Sequence, residues 1–415
     1  MANLLYAFRD TGLIKFFLWV TVLGRWQIIF SSVFIVSILC WLWKRKTYIP
    51  AFWITIAGAG IFNTLGKLAV HRIRPSVAFY TEKTFSFPSG HATIAVALYG
   101  FIAYILFREF KQWKYKLNAV FITTLVILAI GLSRLYLGVH FLSDVWGGYL
   151  LGLLWLIIGI SIAEWLLRRQ RSQTDSIKSP KQKALTAGLI LVEIIFYILF
   201  AFNYHPLLIS SIAANPPIIT DNIVNTFQNE KLPRYTETLL AENQEPLTFI
   251  ITARDDQELI GILQRAGWNL ADPATVGTVS KLAKAAMLNE AYPTAPITPS
   301  LWNGVVHNFG FEKPTSANNV RERHHARFWR ASIQTKDGKQ VYVGTASLDR
   351  GIKWLVTHTI SPDIDTEREF LFADLQSTGL ISESHKEQFV EPILGKNFSG
   401  DQFFTDGKLY TIILK

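Results

Sequence analysis

Ser133-Arg134-Leu135-Tyr136-Leu137-Gly138-Val139-His140-Phe141-Leu142-Ser143-Asp144 is a polar interruption between two apolar stretches, residues 117–132 and 145–167. His140 and Asp144 are four residues apart. On one helix they share a face, and the carboxylate can accept a hydrogen bond from one ring nitrogen. That fixes the tautomer and leaves the lone pair of the other nitrogen free to attack. Taken alone, the pair is more readily read as a buried brace at a helix start.

Working outward, six stretches are apolar enough to cross a bilayer: residues 26–43, 51–66, 92–107, 117–132, 145–167 and 184–202. Several hold only about 16 apolar residues, short of the roughly 20 that a full crossing needs. Each short one runs directly into a polar motif, at Lys67, His91 or Ser133, which places those motifs at or just below the membrane surface. Residues 13–23 read as an interfacial or partial span. Glu193, inside the last stretch, is expensive in lipid and is expected to face neighbouring helices or a partner.

Of the charged residues, 21 basic and 7 acidic ones precede residue 205, and 20 basic and 24 acidic ones follow, giving the net +10. The basic excess belongs to the apolar half and sits in its short loops. It therefore reads as membrane-topology charge and not as a nucleic-acid footprint. Lys44–Lys46, Arg108 to Lys116 and the stretch from Arg168 to Lys183 fall on one side, the cytoplasm by the positive-inside rule. Loops 67–91 and 133–144 then face the periplasm or exterior, and a final crossing carries the second half to that same side. The first residues do not resemble a cleavable signal peptide. The sole cysteine, Cys40, lies in an apolar run, which rules out a disulfide framework and a cysteine-based metal site.

Two further clusters share the outer side. In Lys67-Leu-Ala-Val-His71-Arg72-Ile-Arg74-Pro75 the two cations are seven residues apart, which on one helix puts both on one face, ready for a phosphoryl group. The bland alternative is a pair of snorkelling anchors. In Phe87-Pro88-Ser89-Gly90-His91, Ser89 is a natural N-cap and Gly90 lets a backbone N–H approach an anion at a helix N-terminus. Each cluster alone is weak; their occurrence together is not.

Lys-x6-Arg-Pro, then Pro-Ser-Gly-His, then Ser-Arg-x5-His-x3-Asp is the pattern of the type-2 phosphatidic acid phosphatase (PAP2) superfamily, which includes vanadium haloperoxidases. The chain resembles that family over roughly residues 26–167, with every fixed position present: Lys67, Arg74, Pro75, Pro88, Ser89, Gly90, His91, Ser133, Arg134, His140 and Asp144. His71 and Arg72 are not pattern positions and are given no role. The resemblance implies a metal-independent phosphatase acting through a phosphohistidine intermediate. His140 would be the nucleophile, His91 the general acid and base, and Asp144 the group that orients His140. Lys67, Arg74, Arg134, Ser89 and the Gly90 N–H would cradle the phosphoryl oxygens, so that neither a metal nor another cofactor is called for. A site at the lipid boundary suits a membrane lipid phosphate or diphosphate, phosphatidic acid or an isoprenoid (undecaprenyl) diphosphate. A vanadate-dependent haloperoxidase and a non-catalytic, membrane-anchored lipid- or anion-binding protein remain as alternatives.

The fold expected is thus an all-α membrane bundle of about six transmembrane helices followed by a soluble α+β domain. The expected boundaries are a phosphatase-type domain over 1–167, a cytoplasmic basic linker over 168–183, an additional transmembrane helix over 184–203 and the soluble domain over 205–415. A bacterial inner membrane is the expected location. In the second half, 247–253 reads as a strand and 255–266 as a helix. Lys336-Asp337-Gly338 and Thr405-Asp406-Gly407 read as hairpin turns. This half resembles the LssY-type carboxy-terminal domain in Ala266-Gly267-Trp268 and in Arg323-His324-His325-Ala-Arg327-Phe-Trp329. Arg321, Arg323, Arg327 and Arg330 with His324 and His325 form a cationic cluster. It could bind an anionic ligand or a protein partner, or simply pair with acids such as Asp363, Asp365, Glu367 and Glu369. A metal site from His324, His325 or His358 with Asp363 matches no known spacing.

Overall fold

A computed structural model describes residues 5, 10–75, 77–169, 179–206, 217–230, 232–238, 242–353, 357–397 and 400–415. The chain divides into two compact units, one built mainly from residues 11–210 and the other mainly from 211–415.

In the first unit, five helices are long and apolar enough to cross a membrane. They are α3 (Tyr48–Val70), α4 (Gly90–Glu109), α5 (Trp113–Tyr136), α6 (Leu142–Arg169) and α7 (Pro180–Phe202). Helices α1 (Thr11–Val22) and α2 (Trp26–Leu42), bent by 45° where they meet, are together apolar enough to be a sixth, broken span or a re-entrant loop. Residues 13–23 therefore lie mostly in the first arm of this bent pair. The apparent shortness of the apolar stretches disappears because the polar motifs are themselves helical: Lys67 lies in α3, and Ser133 and Arg134 lie in α5. The 23 residues of α3 rise about 35 Å, which exceeds a hydrocarbon core of roughly 30 Å.

At one end of the bundle, Arg45 donates to Glu109 at 3.0 Å, and the Trp43 indole donates to Thr186 at 2.8 Å. The loops 71–89 and 137–141 lie at the other end. Glu193 of α7 accepts hydrogen bonds from Ser31 and Ser32 of α2, at 3.0 and 2.6 Å, so it does face a neighbouring helix. The start of α7 is a capping box built from Ser179 and Gln182. The middle of the basic linker, residues 170–178, lies outside the described residues. Helix α6 crosses α4 at backbone distance. A Cβ on Gly148 would stand 2.6 Å from the Ser89 carbonyl oxygen, and one on Gly152 would stand 2.5 Å from that of Thr93. The core around Val33, Phe52, Leu98, Phe101 and Ala163 is buried between the helices.

The second unit is α+β. Its strands are β1 (Ile218–Ile219), β2 (Tyr235–Glu237), β3 (Asn243–Pro246), β4 (Phe249–Ala253), β5 (Asn269–Leu270), β6 (Leu301–Trp302), β7 (Val305–Val306) and β8 (Phe309–Pro314). They continue as β9 (Arg323–Gln334), β10 (Gln340–Lys353), β11 (Thr357–Ile360), β12 (Ile381–Gln388), β13 (Ile393–Lys396), β14 (Gln402–Thr405) and β15 (Lys408–Leu414). The main sheet runs β12-β15-β4-β10-β9-β8-β5. The helices of this unit are α8 (Ile223–Asn229), α9 (Asp256–Arg265), α10 (Val276–Leu288) and α11 (Ile364–Ser377); α9 and α11 contribute Leu259, Ile262, Leu263, Leu371 and Leu375 to a core that includes Phe249, Phe311 and Phe328. A second core gathers Trp302, Trp329, Val341, Val343 and Phe389.

Lys336-Asp337-Gly338 is the turn of the antiparallel β9–β10 pair, with Gly338 at φ +83°. Thr405-Asp406-Gly407 is not a hairpin turn, because β14 pairs with β13 while β15 pairs with β12 and β4. Gly407, at φ +74°, instead passes the chain from one sheet to another, and its carbonyl accepts from the Phe389 and Val390 N–H groups.

Candidate active site

At the end of the bundle formed by loops 71–89 and 137–141, Arg74 and Asp144 meet His140 directly, and Lys67 and Arg134 lie within electrostatic reach of it. Lys67 ends α3 as a helical residue, but Arg74 does not continue that helix. His71 adopts a left-handed conformation (φ 50°, ψ 31°) that closes α3, and Pro75 disfavours helix at the residue before it. The expectation of a shared helix face is therefore wrong. The two cations nevertheless meet, because Lys67 Nζ donates to the Phe85 carbonyl and Arg74 Nη2 donates to the same oxygen at 3.3 Å. Arg74 also donates to the carbonyls of Thr84 and Val139, at 2.8 and 2.7 Å.

His140 and Asp144 are likewise not on one helix face, since α6 begins only at Leu142. Gly138 (φ +68°) turns the chain so that the imidazole comes back over the first turn of α6. His140 Nδ1 lies 3.5 Å from Asp144 Oδ2, and Ser86 Oγ fills the angle between them, donating to Oδ2 and lying 3.4 Å from Nδ1. On the other side of the ring, Arg74 Nη1 is 3.2 Å from Nε2. A guanidinium can only donate, so Nε2 carries the lone pair and Nδ1 the proton. Burial pushes the His140 imidazole down to about 3. The Asp144 hydrogen bond opposes this, and Arg134, Arg74 and Lys67 add to it. The ring is neutral at pH 7.

Arg134 is fully buried. Its Nη1 donates to Thr21 Oγ1 at 2.7 Å and to the Tyr80 hydroxyl, and its Nη2 donates to Glu82 at 2.9 Å. Its Nε has no hydrogen-bond partner among the described residues. Burial works to raise the Glu82 carboxyl, but Arg134 and Arg74 hold it below its ordinary value. Arg74 is pushed down to about 10, first by burial, and stays charged at neutral pH.

Ser89 occupies the N-cap position of α4 by backbone geometry, yet its side chain makes no capping bond. The hydroxyl is buried and has no hydrogen-bond partner among the described residues, and the same holds for His91 Nε2. The Ser89 N–H donates to the Asp144 carbonyl at 2.9 Å, which ties the start of α4 to the start of α6. His91 packs against Gly24, where a Cβ would come 2.7 Å from its ring, and it lies within electrostatic reach of Arg134, Arg25, His140 and Arg74. Gly90 faces Asn63, whose side-chain amide donates to the Pro88 carbonyl at 3.3 Å.

Arg72, Ser86, Tyr80 and Glu82 were missed in the sequence. Glu82 carried a readable signal as the only acidic residue between residues 67 and 91, where four are Lys or Arg. Ser86 and Arg72 carried none.

In the second unit, Arg323, Arg330, His324 and His325 of the cationic cluster are paired with acids, mostly other than those expected, while Arg321 and Arg327 donate to the Ala286 and Thr298 carbonyls. Arg323 pairs with Glu312 and Asp349, and Arg330 with Asp256; only His324 meets an expected partner, Glu367, at 2.8 Å. Asp365 and Glu369 are taken by Arg368. The His358 side chain lies outside the described residues.

A helical membrane bundle with histidines, a carboxylate and three cations gathered at one end is the class of protein that this geometry defines. Residues 28–168 match the family model described as PAP2 superfamily, and residues 229–409 match that of the LssY C-terminus. The membrane bundle thus resembles the PAP2 superfamily over residues 28–168, and the second unit resembles an LssY-type C-terminal domain over residues 229–409. Phosphatidylglycerophosphatase B of Bacillus subtilis (strain 168) is 39% identical over 113 residues, which are 26% of this chain and 56% of that protein. The chain therefore spans little more than half the length of this curated relative. Among solved structures, the PAP2-type phosphatidylglycerolphosphate phosphatase from Bacillus subtilis aligns at 27% identity with a TM-score of 0.38, covering 41% of this chain and 85% of that one. Aquifex aeolicus LpxE aligns at 25% identity with a TM-score of 0.30, covering 39% and 92% respectively.

Proposed function

We propose that this chain is a phosphatase that cleaves a lipid phosphate monoester or diphosphate through a phosphohistidine on His140. One observation carries the reading. A neutral, buried imidazole is held with its Nε2 lone pair toward Arg74 and its Nδ1 proton toward Ser86 and Asp144. An imidazole that merely braced a helix would not need its nucleophilic nitrogen beside a cation.

In this mechanism Nε2 attacks phosphorus in line with the leaving oxygen. The N–P bond forms as the P–O bond breaks, and His91 gives its proton to the departing alkoxide or phosphate. Water then attacks the phosphohistidine while His91 takes a proton from it, and inorganic phosphate leaves. Charge builds on the three equatorial oxygens during both transfers, and Lys67, Arg74 and Arg134 offset it, with Ser89 Oγ and the Gly90 N–H completing the cradle. Asp144 steadies the imidazole as positive charge develops on it.

The lipid assignment draws support from an apolar cavity of about 660 Å³ among α2, α3 and α4, of the size that ligand pockets take. Trp26, Phe30 and Trp53, which line it, are also exposed on the helix surface, so it opens sideways toward lipid. Its polar end, at Asn63, Gly90 and Thr93, adjoins the start of α4 beside His91. A phosphatidic acid, a phosphatidylglycerophosphate or an isoprenoid diphosphate presents a phosphorus centre next to hydrocarbon in the way this arrangement requires. Loop charge favours a bacterial inner membrane with loops 71–89 and 137–141 on the periplasmic side.

The test is phosphate release by the purified full-length protein in EDTA across a panel of phosphatidic acid, phosphatidylglycerophosphate and undecaprenyl diphosphate. At least one substrate should turn over, and His140→Ala should lose turnover and the base-stable phosphoenzyme while staying folded. Turnover that EDTA abolishes, or an active His140→Ala variant, overturns the mechanism.

A further inference from the structure

The chain between α3 and α4 does more than present Arg74. After His71 reverses the backbone, Arg72 is thrown across the start of α6. Its guanidinium sits over the Phe141 ring, 4.2 Å from the centroid. Its Nη1 donates to Asp144 Oδ1 at 2.9 Å and to Ser143 Oγ at 2.6 Å. The other carboxylate oxygen, Oδ2, receives the Phe141 N–H at 2.8 Å and the Ser86 hydroxyl. The Ser86 N–H in turn donates to the Arg72 carbonyl at 2.8 Å, so the two residues are linked to each other as well as to Asp144.

The direct path from Asp144 to the imidazole is poor. A separation of 3.5 Å is too long for a strong hydrogen bond, so by itself it would fix the ring only loosely. Asp144 and Ser86 are fully buried, whereas the Arg72 side chain is about one-third exposed. A carboxylate has about four lone-pair directions. Ser86 and the Phe141 N–H fill both directions on Oδ2, the oxygen nearer the ring, and Arg72 fills one on Oδ1, so Nδ1 reaches the carboxylate chiefly through the Ser86 hydroxyl. A buried carboxylate that lost its counter-charge would be free to turn, and His140 would turn with it.

We infer that Arg72 and Ser86 are positioning residues, gripping the two oxygens of Asp144 so that its carboxylate and the Ser86 hydroxyl together hold His140 in its attacking orientation. The inference rests on the phosphohistidine reading given above. Neither residue touches the phosphoryl group. Both act through Asp144, Ser86 as a bridge to Nδ1 and Arg72 as the counter-charge on the far oxygen.

The experiment compares wild type, His140→Ala, Arg72→Met, Arg72→Ala, Arg72→Lys and Ser86→Ala as full-length proteins. It reads kcat and KM on a soluble short-chain phosphatidic acid, and the rate of phosphoenzyme formation in a single turnover. Arg72→Met and Ser86→Ala should lower kcat and the phosphorylation rate by about 10- to 100-fold, the range seen when a residue orienting a reactive ligand is lost, with KM within about twofold. Arg72→Lys should recover most of the loss, and added guanidinium should raise the rate of Arg72→Ala severalfold. A purely structural role would lower the melting temperature and show no guanidinium rescue. The inference is overturned if Arg72→Met and Ser86→Ala keep wild-type kcat, if the loss falls on KM, or if guanidinium leaves Arg72→Ala unchanged. Should Arg72→Met not fold, Arg72→Lys and Ser86→Ala still decide it. An inactive wild type or an active His140→Ala instead refutes the underlying phosphatase reading, whatever Arg72 does.

Discussion

Gly148→Ala puts the joint between α4 and α6 under a defined load. The new methyl would stand 2.6 Å from the Ser89 carbonyl oxygen, 2.9 Å from Ala92 Cβ and 3.2 Å from the Thr93 nitrogen. Ordinary contact begins near 3.4 Å, so α6 must retreat from the start of α4 by about 0.8 Å. Two of the three neighbours are backbone atoms, and none is the tip of a flexible side chain that could swing aside. The retreat lengthens the bond from the Ser89 N–H to the Asp144 carbonyl, now 2.9 Å, to about 3.7 Å, past hydrogen-bonding range. It also draws Asp144 and His140 away from Ser89 and His91. A misplacement near 1 Å at reacting groups costs on the order of 100-fold in rate. Gly148→Ala should therefore lower kcat by about 30- to 100-fold on the best lipid substrate, with KM changing far less. Gly188→Ala is the control, because a Cβ there meets nothing within 4 Å on α7, and its kcat should match wild type. A Gly148→Ala enzyme with wild-type kcat, or an equal loss in Gly188→Ala, would refute the reasoning.

Three further outcomes are expected. With the His140 pKa near 3, the neutral nucleophile is lost only as pH falls through about 3, so phosphoenzyme formation in a single turnover should not fall between pH 7 and pH 5. An ordinary histidine of pKa about 6.5 would give a fall of about 20-fold over that interval, and such a fall would count against the buried, neutral imidazole. Glu82→Gln removes the carboxylate from Arg134 and should lower KM by about threefold to tenfold in a steady-state assay; an unchanged or higher KM would mean that Glu82 does not compete with the phosphate. Arg323→Ala removes the buried cation between Glu312 and Asp349, leaving Asp349 with His325 at 3.1 Å, and should destabilise the second unit by about 3 kcal/mol, seen as a lowered melting temperature and faster proteolysis after residue 217.

Much of the first unit was legible because hydrocarbon makes polar residues conspicuous. Lys67, His91, Arg134, His140 and Asp144 stand out at the ends of apolar runs, and a membrane bundle has few ways to arrange those ends. What stayed hidden depended on single backbone torsions. The left-handed turn at His71 puts Arg72, and not a helical Arg74, beside Asp144. The late start of α6 at Leu142 opens the gap that Ser86 fills. In the second unit the β9–β10 turn was readable from Lys336-Asp337-Gly338, a local signal. The partners of Arg323 were not, because Glu312 and Asp349 reach it only through the strand order β8-β9-β10, which no local pattern encodes.

Every cation of the resting pocket already holds a protein oxygen. Lys67 and Arg74 share the Phe85 carbonyl, Arg74 also has Thr84 and Val139, and Arg134 has Glu82. An arriving phosphate must trade places with those oxygens, so the strength of its capture is a difference between two sets of similar bonds. Weak capture of the starting ester leaves the full attraction of the three cations for the moment when phosphorus is between its two bonds and its oxygens are most in need of them. An enzyme built this way would idle with its charges sheltered, and would turn substrate over quickly without holding it tightly.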